Sequence, residues 1–62
     1  MMTDRDVMVK AGEILAQHGA LTADYIIAQL GDVIDDRVAV EDWRRVASAV
    51  DAITATSATR AN

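Results

Sequence analysis

The chain has 62 residues, six Lys and Arg against ten Asp and Glu, a formal charge of −4, and no Cys, Pro or Phe. One domain is the most this length holds, and the missing Cys excludes a disulfide framework, a zinc–thiolate site and a thiol nucleophile. The 52% apolar content overstates the core, because 12 of those residues are Ala. A core of this size supplies about 3–5 kcal/mol, so self-association or a partner that binds the folded form is expected from size alone.

A chain rich in Ala and free of Pro reads as helix. Thr3 is placed to cap the first one, with Asp4 and Asp6 where a helix N-terminus favours negative charge. Val7, Met8, Ala11, Ile14, Leu15 and His18 then recur at helical spacing, and Gly19 is a natural left-handed stop. Gly12 interrupts this helix at a cost of about 1 kcal/mol relative to Ala.

Thr22 starts the second helix, whose stripe is Ala23, Ile26, Ile27, Leu30, Val33 and Ile34. Gly31-Asp32 falls inside it, and the unbroken phase of Val33 and Ile34 predicts that the helix crosses Gly31. Asp36 is the next capping residue. The third helix carries Ala39 or Val40, then Trp43, Val46, Ala47, Val50 and Ile53 as its apolar stripe. The segment from Thr54 to Asn62 has no large apolar side chain and is expected to fray. The expected fold is therefore all-α: a compact three-helix domain over residues 1–54, with helices Thr3–His18, Thr22–Ile34 and Arg37–Thr54. A disordered tail over residues 55–62 completes the chain, and a homodimer is in keeping with the small core.

The N-terminus has two Asp among its first six residues and no long apolar run, unlike a signal peptide. No stretch reaches the roughly 20 apolar residues of a membrane span. A cytoplasmic location is the expectation, with no membrane partner.

Acid is concentrated in one place. Asp32, Asp35, Asp36, Glu41 and Asp42 are five of the ten carboxylates and lie within eleven residues, with Arg37 the one base among them. Such crowding is tolerated where the groups are solvated, cap helix ends, or meet cations from elsewhere. One reading is a solvated turn. The other is a patch that docks on a basic protein surface, steered by long-range attraction. A calcium loop is a poor match, because apolar residues occupy the positions where ligands belong.

The remaining candidates read as structural. His18 has no Cys or second His for a metal site and suits a helix C-terminus. Ser48 and Ser57 lie in no nucleophile elbow, and three separated Gly make no phosphate loop. So short a helical chain is expected to lack a pocket of several hundred Å3. No catalytic residue, cofactor or metal is therefore assigned. Arg44 and Arg45 suit ion pairs with nearby carboxylates, Glu41 being at i, i+3 and i, i+4 spacing; the acidic balance argues against direct nucleic-acid binding. Trp43, Val46, Val50 and Ile53 form either a packing face or a dimer interface, Trp being favoured in both settings. Tyr25 reads as a half-buried edge residue. An acyl carrier protein is rejected, since neither Ser48 nor Ser57 stands in an Asp-Ser-Leu sequence.

The order Ala11, His18-Gly19, Ala23 to Leu30, the acidic turn at Asp35-Asp36, then Trp43-Arg44-Arg45-Val46 and Ile53 resembles a family of short uncharacterised bacterial helical proteins. Their pattern is a His-Gly after the first helix, a Gly-Asp turn after the second, and a Trp opening the third. The likeness covers roughly residues 4–53 and departs where Gly31-Asp32 comes early. It implies a three-helix fold and assigns no function or site residues. In size, charge and lack of catalytic residues alone, the chain is similar to phage anti-CRISPR inhibitors. That likeness implies steric and electrostatic blocking of a nucleic-acid channel in a CRISPR effector complex of a bacterial host.

Three functions are thus in play. The leading expectation is a non-enzymatic inhibitor that presents the Asp32–Asp42 carboxylates to a basic partner surface. Reversing Asp35 and Asp36 to Lys should then abolish inhibition and leave helicity intact. A small dimerisation or adaptor module acting through the Trp43 face would instead be insensitive to salt. An antitoxin or transcriptional accessory protein would have a toxin gene beside its own.

Overall fold

A Thr followed three residues later by an acid can close a helix start upon itself. In the computed structural model, which describes residues 1–60 and the side chains of residues 1–56, this happens at Thr3. The Thr3 hydroxyl accepts from the Asp6 N–H at 3.1 Å, and the Asp6 carboxylate accepts from the Thr3 N–H at 3.3 Å. This capping box opens α1, Asp4–His18. Thr3→Ala should cost about 1 kcal/mol, seen in urea as a lower midpoint at unchanged slope.

The chain leaves α1 at Gly19, whose φ of 52° is the positive value that glycine adopts without strain. Its N–H still bonds the Leu15 carbonyl. A short 3-10 turn, Gly19–Leu21, leads into α2, Thr22–Asp32. Thr22 does not cap by accepting a bond. It is buried, and its hydroxyl donates to the Gly19 carbonyl at 2.7 Å, tying the turn shut.

Helix α2 crosses Gly31 but ends at Asp32, two residues short of the expected Ile34. Gly, Asp and two β-branched residues in succession are weak helix formers, and Asp36 offers a competing start. The Asp36 N–H bonds the Val33 carbonyl at 2.8 Å, and its carboxylate accepts from the Ala39 N–H at 3.1 Å. Asp36 thereby caps α3, Arg37–Arg60. This helix runs past its expected end at Thr54, so the tail expected from residue 55 is helical in backbone as far as Arg60; residues 61–62 lie outside those described. No Gly or Pro stops it, Ala continues to recur, and the Thr56 hydroxyl donates to the Ala52 carbonyl within the helix. No strand occurs among the described residues, and no described helix is long and apolar enough to cross a membrane.

The core is built from Val7, Ala11 and Ile14 of α1, Ile26 of α2, and Val46, Ala49 and Val50 of α3. Leu15, Tyr25, Leu30, Trp43 and Ile53 are half-buried around it. Where two apolar residues are adjacent, one faces in and the other does not. Val7 is buried and Met8 exposed; Ile26 is buried and Ile27 exposed. Three helices enclose only part of each other's circumference, so the stripes read from the sequence are wider than the surface available to cover them.

Candidate functional site

The junction between α2 and α3 gathers the five carboxylates singled out by sequence, but it does not treat them alike. Asp32 is the last residue of α2 and Asp35 lies in the turn, and both are exposed. Asp36 is exposed as well, with one oxygen committed to the α3 cap. Glu41 is exposed on the first turns of α3, and its carboxylate lies 3.8 Å from the Arg44 guanidinium, a loose surface pair.

Asp42 points the other way. Its side chain is only 16% exposed, it accepts from the Met2 N–H at 3.3 Å, and it lies 3.7 Å from Arg45. It therefore serves the fold at the cost of the patch, and the outward-facing set shrinks to Asp32, Asp35, Asp36 and Glu41. Helical periodicity accounts for this: Asp42 precedes the half-buried Trp43, on the edge of the α3 stripe that meets the N-terminal segment.

Arg45 is the residue whose role sequence reasoning understated. Its guanidinium donates to the Met2 carbonyl at 2.6 Å and to the Asp4 carboxylate at 2.7 Å, in addition to facing Asp42. It clamps the segment before α1 to the middle of α3. The i, i+3 spacing from Asp42 is a usable sequence signal; the contacts to Met2 and Asp4, more than forty positions away, have none. Glu41 pairs with Arg44 and not with Arg45.

Trp43, Val46, Val50 and Ile53, expected to pack or to form an interface, lie toward the core. Val46 is 1% exposed and Val50 8%, while Trp43 and Ile53 are half-buried. The two valines have no surface left to offer another chain. The His18 ring, at the end of α1, stacks on Tyr25 of α2 with centroids 4.0 Å apart and planes 18° apart. Tyr25 in turn meets Trp43 edge-on at 6.1 Å. The three rings form one ladder at which all three helices meet, an arrangement worth roughly 0.5–1.5 kcal/mol per pair beyond area burial. The Gly19 turn brings His18 and Tyr25 together, so their separation in sequence does not reveal the contact.

Contrary to what chain length suggests, two open grooves of about 510 and 560 Å3 run along α3. The first is lined by Met1, Arg37, Val38, Glu41, Asp42 and Arg45. The second lies between α1 and α3, with Ser48 on its wall beside Arg44 and Arg45. Neither places an imidazole beside a hydroxyl, since His18 is in the ring ladder. Among the described residues no three His, Asp or Glu side chains come together as a metal site. No buried side-chain polar atom there lacks a hydrogen-bond partner. No protein-family model, curated protein or solved structure matches the chain.

Proposed function

We propose that the chain is a non-enzymatic binding protein that offers the carboxylates of the α2–α3 junction to a basic surface on a protein partner. The observation that carries this reading is the solvent exposure of Asp32, Asp35, Asp36 and Glu41, four acids within ten residues. The bases beside them are the exposed Arg37 and Arg44, too few to cancel the local field. Surfaces that hold nucleic acid carry the matching sign. In the preferred instance the protein is an anti-CRISPR-like inhibitor that covers the nucleic-acid channel of a CRISPR effector complex in a bacterial cytoplasm. It acts by occupancy: attraction raises the encounter rate, and the bound domain keeps phosphate out. It needs no cofactor, metal or catalytic group, and its own net charge repels nucleic acid.

The test is capture of partners from host lysate at low and high salt, beside the double variant Asp32→Lys/Asp35→Lys. Asp36 stays untouched, because its carboxylate caps α3 and its loss would confuse recognition with stability. Capture should fall between about 50 and 500 mM salt as the Debye length shortens, and the variant should capture nothing while keeping its helicity. Undiminished capture by the variant would remove the patch from the mechanism.

A further inference from the structure

Ala23, Ile27 and Leu30 of α2 recur at spacings of four and three, the rhythm of a seam between two helices. The fold leaves this seam uncovered: Ala23 is exposed, Ile27 is 66% exposed and Leu30 is half-buried. Ala23, Ile27 and Leu30 share a groove of about 170 Å3 with Ala47, Val50 and Asp51 of α3. Arg44 and Asp51 lie seven residues apart on α3, two turns, on the face that carries Ala47. The Arg44 guanidinium has only its loose pair with Glu41, and the Asp51 carboxylate makes no ion pair or hydrogen bond with the described residues.

We propose that this face joins two copies of the chain in an isologous dimer. The α3 helices lie antiparallel across a two-fold axis near Ala47 and Ser48, and Arg44 of each copy faces Asp51 of the other. Charge selects a second copy as the occupant. Across a two-fold axis, residues equidistant from it meet, and Arg44 and Asp51 stand three positions to either side of the Ala47-Ser48 pair. Opposite signs at symmetric positions complement themselves, whereas a face of one sign would repel its copy. Small residues at the centre let the helices come close.

Ile27 and Leu30 would fill the space beside the paired helices. The dimer is independent of the acidic junction's partner, since it is measured on the chain alone.

Sedimentation equilibrium between about 10 μM and 1 mM tests it, a range that brackets a modest self-affinity. The mass should rise from one chain to two. Arg44→Asp and Asp51→Arg should each weaken the dimer about tenfold, as two solvent-edge pairs per dimer allow. The double exchange should restore it to within a few-fold. Ile27→Asp should abolish the dimer with helicity unchanged by circular dichroism. A single-chain mass throughout the range, whether the groove stays bare or meets another protein, overturns the proposal. So does a dimer indifferent to Ile27→Asp, or a double exchange no better than its parts.

Discussion

Val46→Ala should lower the thermal midpoint by roughly 8–16 °C, the shift expected when about 2 kcal/mol is lost from a domain this small. Val46 is the largest side chain with under 2% exposure. Removing its two methyl groups forfeits their transfer free energy and leaves a void that the three helices only partly close. The effect is large because the reserve is small: about 3–5 kcal/mol for a core of this size. Ile27→Ala is the comparison. Its side chain is larger, yet it is 66% exposed, so the isolated chain should lose under about 0.5 kcal/mol, as at ordinary surface positions. Scanning calorimetry on dilute samples separates the two. Equal losses would mean that α2 is rotated from the placement described.

Arg45→Met should cost about 2 kcal/mol and free the first residues of the chain. Methionine keeps the apolar stem but removes every N–H donor. The Met2 carbonyl then loses its bond, and the half-buried Asp42 carboxylate keeps only the Met2 N–H. A hydrogen bond to a charged group contributes about 1.5–3 kcal/mol, and stranding a partly buried carboxylate adds to the loss. Hydrogen exchange should quicken at the amides of residues 2–7 before it quickens elsewhere. Arg45→Lys should recover less than half, because one ammonium cannot reach Met2, Asp4 and Asp42 together as the guanidinium fork does. Arg44→Met, which breaks only the 3.8 Å surface pair with Glu41, should stay within about 0.5 kcal/mol. Unequal losses at these two adjacent arginines would place the clamp; equal losses would deny it.

The start and stop chemistry of the helices was legible in the sequence, because it depends on a few neighbouring residues. Thr3, Gly19 and Asp36 act where local rules put them, and Arg44 finds Glu41 one turn away. What failed depends on contacts between distant parts. Periodicity marks Ile26 and Ile27 equally, and only the angle at which α2 meets α3 decides which is covered. The end of α2 moved because Asp36 competes for the same backbone, a contest that a stripe of Val33 and Ile34 does not reveal. The acidic site was legible as a composition and misleading as a surface. Asp42 is held inward by Arg45 and by a residue forty positions earlier, so counting carboxylates overstates what a partner would meet.

The chain contains one Trp, one Tyr and no Phe, and the ladder places the tyrosine 6.1 Å from the indole. At that separation light absorbed by the phenol passes to the tryptophan almost completely, and the phenol itself stays dark. Denaturation would let tyrosine emission appear at its own wavelength. Because the tyrosine sits on α2 and the tryptophan on α3, this built-in optical gauge needs no label, and it distinguishes a domain in which α2 is still docked on α3 from one in which those two helices have parted.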